Sequence, residues 1–157
     1  MSCRVVSAAR GWIGTPYVHQ ASCKGAGCDC LGLIRGLWRE IRGSEPESPP
    51  AYTMDWSEPQ GAEALWQAAR RHLVEKPLQD AAPGDVLLFR MRESSVAKHL
   101  GVQSAVAKDV RHGSEANARM QGGAGAAFIH AYVGHGVVES PLSPPWQRRI
   151  VARFQFP

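Results

Sequence analysis

No stretch of the chain approaches ~18 consecutive apolar residues, so no segment is built to cross a bilayer as a helix. The opening MSCRVVSAARGWIG has no long apolar core of the kind an export signal needs. The expectation is a protein made in the cytoplasm that needs another route if it acts outside the cell. No run of Lys and Arg is interleaved with aromatics, which leaves nucleic-acid binding without support. There is no internal repeat. The cysteines Cys3, Cys23, Cys28 and Cys30 include a C-x4-C-x-C cluster, but the second pair that a zinc site uses is absent and C-x-C is an awkward bite. A metal is therefore disfavoured, no cofactor is implied, and a cytosolic origin argues against disulfides. What remains is a 157-residue chain, 44% apolar and 20% charged, expected to form one domain over residues 1–157. Its net charge of +4 is mild and would help attraction to an anionic polymer such as a bacterial cell wall or nucleic acid.

The first half reads as helices. Cys3 to Ile13 is a short one, ended by Gly14-Thr15-Pro16, since Pro16 forces Thr15 out of helical geometry. Val18 to Asp29 reads as loop. Ile34, Leu37, Trp38 and Ile41 then fall on one helical face, with Asp29 as N-cap, Cys30 in the first turn and Gly43 as the far cap. Ser44 to Ser57 has no period and reads as an ordered loop or surface arm. Glu58 to Val74 is a third helix, with Ser57 to cap it and Pro59 in its first turn. His72 reads as a partly exposed helix residue.

From the Pro83-Gly84 turn onward the pattern is that of strands. These are Asp85 to Met91, Ala97 to Gln103, Ala127 to Val133, Gly136 to Ser140 and Arg149 to Phe156. In the second, Leu100 and Val102 point one way and His99, Gly101 and Gln103 the other. In the third, Phe128, His130 and Tyr132 share a side. In the last, Ile150, Ala152, Phe154 and Phe156 are expected on one face. Helices first and antiparallel strands after give an α+β class, with N-terminal helices packed on a small antiparallel sheet. Ser104 to Ala126 is unusually long for a link between neighbouring strands. It reads as a mobile surface insertion that docks the protein or covers a cleft.

Cys30 at a helix start is placed where partial positive charge favours thiolate over thiol, as a nucleophile requires. The alternative is a buried structural cysteine, the ordinary fate of a free Cys. A nucleophile needs a base and the base needs an orienter. Of six histidines, His99 and His130 lie mid-strand, a position His does not take for its β-propensity. They could complete a Cys-His-His relay with Cys30, or be two satisfied core histidines.

Five short motifs occur in order: Gly14-Thr15-Pro16-Tyr17, Asp29-Cys30-Leu31-Gly32-Leu33, Pro83-Gly84-Asp85-Val86-Leu87, His99-Leu100-Gly101-Val102 and Phe128-Ile129-His130-Ala131. This series resembles the NlpC-type family of cell-wall cysteine peptidases, a reduced papain-like fold. The stretch His19-Gln20-Ala21, the core Cys28-Asp29-Cys30-Leu31-Gly32-Leu33 and the run Gly134 to Leu142 resemble its phage-tail and gene-transfer-agent branch. The resemblance implies Cys30 as nucleophile, His99 as general base and then acid, and His130 as the residue holding the His99 ring. It implies the Cys30 N–H as an oxyanion donor, Tyr17 as a hydroxyl donor beside it, and Asp29 as a group that meets a substrate amine. The implied substrates are peptidoglycan stem peptides, cut between D-γ-glutamyl and a diamino acid. The implied partners are tail-tip or hub proteins, and the implied setting is the cell wall or periplasm, reached on a phage-like tail. Leu31 in place of the family serine, and His19-Gln20-Ala21 in place of Trp-Gly-Gly, bear on the bond cut more than on the reaction. The rivals are a papain-like amidase or acyltransferase acting on another amide, and a non-catalytic tail-tip protein.

Overall fold

Helix α2 (Cys30–Arg42) is the element that the first helix and the strands pack against, and both of its ends are capped by its own sequence. The structure is a computed structural model and describes residues 2–47, 49, 63–107 and 125–157. Asp29 is extended, and its Oδ1 accepts the Gly32 N–H at 2.7 Å. Gly43 closes the other end at φ 91°, a left-handed geometry that costs glycine nothing, and its N–H donates to Arg39 O. Between the caps, Leu33, Ile34, Leu37 and Ile41 are buried. Each fully buried side chain of this size contributes ~1.5–3 kcal/mol. Helix α1 (Ser2–Arg10) and the turn after it press Trp12 onto α2. Gly36 makes that contact possible, since a Cβ there would lie 2.0 Å from Trp12 Cζ2.

Among the described residues, the second half is a six-stranded antiparallel sheet. Its strands are β3 (Val74–Lys76), β4 (Val86–Arg90), β5 (Ala97–Ala105), β6 (Ala127–Tyr132), β7 (Gly136–Pro141) and β8 (Ile150–Gln155), in the order β3-β8-β4-β5-β6-β7. One face carries Val86, Leu88, Leu100, Val102, Ile129 and Phe154 against the helices. The other carries Leu87, Phe89 and Phe128, covered by Trp146 of the one-turn helix α4 (Pro144–Gln147). The expected α+β arrangement of N-terminal helices on an antiparallel sheet is the one observed.

Several details differ from the sequence reading. Helix α1 stops at Arg10, short of Ile13. The Val18 to Asp29 loop contains a miniature hairpin, β1 (Ser22–Cys23) against β2 (Gly27–Cys28), too short to leave a period in the sequence. The third helix, α3 (Ala64–His72), ends before Val74, which starts β3. Its expected beginning at Ser57 to Pro59 lies outside the described residues, as does most of the Ser44 to Ser57 arm and all of 108–124. His72 pairs with Glu47 at 2.8 Å and is only partly exposed, as expected. Ile150 does not share a face with Ala152 and Phe154. A register shift between Leu88 and Phe89 turns it to the Phe89 side, because an extra residue in one strand reverses the alternation beyond it.

Arg153 of β8 is a buried cation, at 4% exposure. Its Nη1 donates to Asp85 Oδ2 at 2.8 Å and to Gln103, and its Nε donates to Leu78 O at 3.0 Å. Asp85 also accepts from Lys76 Nζ and from the Ala82 N–H. The Pro83-Gly84-Asp85 motif therefore works as an anchor: a turn with Gly84 at φ 91° that delivers a carboxylate to a buried guanidinium. Asp85→Asn is expected to cost about 3–5 kcal/mol, because Arg153 cannot shed its charge once its counter-ion is gone. Urea denaturation measures this, and a loss below about 1 kcal/mol, the scale of an exposed pair, would show that the guanidinium re-solvates.

Candidate active site

The N-terminus of α2 brings Cys30 to the sheet at a point where the sheet is split. The β5–β6 ladder pairs Val102 with Ile129, Gln103 with Phe128 and Ala105 with Ala127, and goes no further toward His99. Gln103 exchanges backbone hydrogen bonds with Gly84 and Asp85 on the β4 side. By the alternation along a strand, Leu100 and Val102 direct theirs toward β6. Val102 finds Ile129 there, whereas the Leu100 N–H meets the sulfur of Cys30. The Cys30 thiol donates to Lys98 O at 3.7 Å. The sulfur is thus held against the β5 backbone on both sides of His99.

His99 and His130 stand on adjacent strands, on the face turned away from α2. His99 Nε2 and His130 Nδ1 are 2.8 Å apart, and His130 Nε2 lies 3.1 Å from Ser140 Oγ of β7. Gly101 makes room for this pair: a Cβ there would be 2.9 Å from Phe128 Cδ2 and 3.4 Å from His130 Cβ. A glycine within a strand is the sequence signal of such a close approach. Phe89, Phe128, Tyr132 and Trp146 box the two imidazoles, with Trp146 5.1 Å from His130 and 5.7 Å from His99 between ring centres. His99 is 8% exposed and His130 1%.

Tyr17 is half-buried near the sulfur. Burial first, then Cys30, Asp29 and Cys28, push its phenol up to about 12, so it stays a hydroxyl donor at neutral pH. Asp29 is 2% exposed. Its Oδ1 caps Gly32 and its Oδ2 accepts the Gln20 N–H at 2.7 Å, with His19 Nδ1 3.8 Å away. That second bond pins Gln20 at φ 65°, a left-handed geometry rare outside glycine. A substrate amine would have to compete with these backbone contacts for the carboxylate. Gly32 lets the His19-Gln20-Ala21 stretch lie against the helix start, since a Cβ there would be 1.8 Å from Ala21 O. Cys28 is also fully buried, and all four cysteines are free thiols. The described residues contain no group of three or more His, Cys, Asp or Glu side chains placed to hold a metal ion.

Position at a helix start led to the expectation of a thiolate. Burial pushes the Cys30 thiol up to about 12 instead, and Asp29 adds to the rise. The N–H groups of Leu100, Leu31 and Cys30 itself act in the expected direction but are outweighed. Burial, together with the neighbouring His130, pushes His99 down to about 3. Burial, together with His135, pushes His130 down to about 4. At rest the site holds a neutral thiol and two neutral imidazoles, with His99, His130 and Ser140 in hydrogen-bond contact in that order. Sequence reasoning missed Ser140, Gly101 and Trp146.

The two depressed histidines make stability depend on pH. The unfolded chain binds protons near pH 6.5 and the folded one does not, so their contribution is complete above about 6.5 and is lost as pH falls toward 4 and 3. The groups facing them are His99 from β5, His130 and Tyr132 from β6, His135 from the turn after it and, through the Trp146 ring, Arg149. The melting temperature of the wild type is expected to fall between pH 6.5 and 4, and to fall less in His130→Gln. Parallel curves for the two proteins would show that the imidazoles are not the cause.

The profile of the NlpC/P60 family matches residues 14–154. The fold resembles that of the NlpC/p60 domain of the peptidoglycan hydrolase SagA, with a TM-score of 0.59, 20% identity and 99% of each chain covered. It resembles an NlpC/P60 family protein from Bacillus cereus ATCC 10987, with a TM-score of 0.61, 17% identity, and 99% of this chain and 40% of that one covered. A lipoprotein-like NLP/P60 family protein from Staphylococcus aureus gives a TM-score of 0.57, 18% identity and 99% and 41% coverage. No match is found among the curated proteins. The family motifs occupy the positions that build the helix start, the Asp85 anchor and the two histidine strands, and the chain belongs to the NlpC/P60 family.

Proposed function

We propose that the protein is a cysteine peptidase that hydrolyses amide bonds in peptidoglycan stem peptides, at the D-γ-glutamyl–diamino acid link. The observation that carries this reading is the sulfur of Cys30 held at the β5 backbone by Lys98 O and the Leu100 N–H, on either side of His99, with His99 Nε2 2.8 Å from His130 Nδ1. The family is one of cysteine peptidases and peptidoglycan hydrolases, and the similar SagA domain belongs to a peptidoglycan hydrolase.

His99 Nε2 is engaged by His130, which leaves Nδ1 to take the thiol proton. The sulfur attacks the amide carbonyl carbon, and the oxygen that becomes negative is met by the Cys30 N–H and the Tyr17 hydroxyl. The C–N bond then breaks, and the leaving amine carries away the proton held on Nδ1. Water attacks the thioester with its proton passing to Nδ1, the carboxylate product leaves, and the thiol is restored. Because the resting pair is neutral, proton transfer and attack proceed together, and the aromatic box keeps competing water from the imidazoles.

A different amide is the second reading, favoured by Leu31 beside the nucleophile and by the commitment of Asp29 to its own backbone. Mass spectrometry of purified muropeptides after incubation decides: new D-γ-glutamyl carboxylate and free diamino ends support the first reading, and intact muropeptides overturn it. We further propose a phage-like tail tip as the setting and tail hub proteins as partners, on the resemblance of Gly134 to Leu142 and the Cys28 to Leu33 core. Peptides of this chain in purified tail particles would support the setting, and their absence would remove it.

A further inference from the structure

The geometry points to Ser140 as a positioning residue, whose hydroxyl accepts the Nε2–H of His130 and so keeps His130 Nδ1 as the acceptor that holds His99. The inference rests on the reading of Cys30, His99 and His130 as the reacting set, and it gives a role to the Gly136–Pro141 strand, which that reading leaves unused.

On β6 and β7, Phe128 stands opposite Ser140 and His130 opposite Val138. Ser140 and His130 are therefore diagonal neighbours on one face, within side-chain reach. Ser140 Oγ lies 3.1 Å from His130 Nε2 while His130 Nδ1 lies 2.8 Å from His99 Nε2, so both nitrogens of His130 are engaged. In a neutral imidazole one nitrogen donates and the other accepts, and the partner of one decides the state of the other.

Two proton arrangements satisfy these contacts. In the first, His99 Nε2–H donates to His130 Nδ1 and His130 Nε2–H donates to Ser140, so His99 Nδ1 is a bare lone pair. In the second, every proton is reversed: Ser140 donates to His130 Nε2, His130 Nδ1–H donates to His99 Nε2, and the proton of His99 sits on Nδ1. Only the first presents a base to Cys30. It is also the one that survives proton uptake, since an imidazolium at His99 must donate from Nε2 and needs an acceptor at His130 Nδ1. A serine hydroxyl supplies that acceptor end with no charge of its own. The aromatic box on the other sides of His130, made by Phe128, Tyr132 and Trp146, presents only ring faces and edges to the imidazole.

The test separates this role from a packing role. Long-range 15N–1H spectra of the wild-type protein are expected to show His130 as the Nε2–H tautomer, with Ser140→Ala moving it to a mixture. Turnover of Ser140→Ala should fall ~10-fold with KM unchanged, on the scale of removing a partner that orients a reactive imidazole. The acid limb of its pH profile should move to lower pH, because an imidazolium at His99 is then less well held. Ser140→Thr keeps the hydroxyl on a residue suited to a strand and should restore the tautomer and the rate. An Nδ1–H tautomer in the wild type, or an unchanged tautomer in Ser140→Ala with turnover within about twofold, overturns the inference; the second threshold lies well inside that ~10-fold expectation. If the wild type cleaves no muropeptide while the tautomer still depends on Ser140, the proposed function fails and the positioning role stands.

Discussion

Cys30→Ala is expected to reduce turnover of muropeptides by roughly three or more orders of magnitude, the scale seen when a covalent nucleophile is removed. The fold should survive, because alanine at this helix position keeps the Asp29 cap on Gly32 and loses only one small buried group. Cys23→Ser, at an exposed thiol, is expected to leave activity unchanged. Cys28→Ser is the sharper control. Cys28 is fully buried two residues from Cys30, so serine there puts an unpaired hydroxyl in the core and lowers the melting temperature while turnover stays near that of the parent. Because burial holds the Cys30 thiol up at about 12, alkylation of the resting protein at neutral pH should be slow and should speed up at alkaline pH. Cys28→Ser as damaging as Cys30→Ala, or stoichiometric zinc or iron in the purified protein, would move the chemistry from the single sulfur to the cysteine cluster.

The parts of this site that were legible in the sequence are those governed by local rules. Asp29, the Cys30 helix and Gly43 could be read because capping and the 3.6-residue period act within a few residues of each other. His99 and His130 stood out because both fall mid-strand, a position His does not take for its β-propensity, and their rings do meet. Ser140 could not be read, because a serine on an edge strand is ordinary until the β6–β7 register sets it diagonal to His130. The same limit explains Ile150, whose face depends on how β8 pairs with β4, a strand far away in sequence, with Val151 left as the extra residue. The thiolate expectation failed for a different reason. The helix-start N–H groups do favour the charged form, but the sequence does not reveal how completely the split sheet closes around the sulfur, and desolvation is the larger effect.

His99→Ala should nearly abolish activity, by about three orders of magnitude, since the neutral thiol then has no base within reach and cannot lose its proton. The losses at His130 are expected to be smaller and graded by chemistry. In His130→Ala, the His99 Nε2–H that donated across 2.8 Å is left without an acceptor in a box of aromatic rings. An unmet buried donor costs about 1–3 kcal/mol, and the cost is greater still once His99 becomes an imidazolium during the reaction. His130→Asn puts a carbonyl oxygen back on the same strand, able to accept that bond, and should keep more activity than His130→Ala. The order His99→Ala, His130→Ala, His130→Asn, from most to least damaging, is set by whether a base is present, absent or poorly held. His72 and His112 should tolerate alanine: His72 pairs with Glu47 at the far end of α3, and His112 falls outside the described residues, in the long link after β5. His135 stacks on Tyr132, one ring removed from His130, so its loss should move the pH profile slightly and leave the maximal rate in place. Steady-state kinetics of the six single-histidine variants on one muropeptide is the measurement, and equal, small losses across the set would leave Cys30 without its partners.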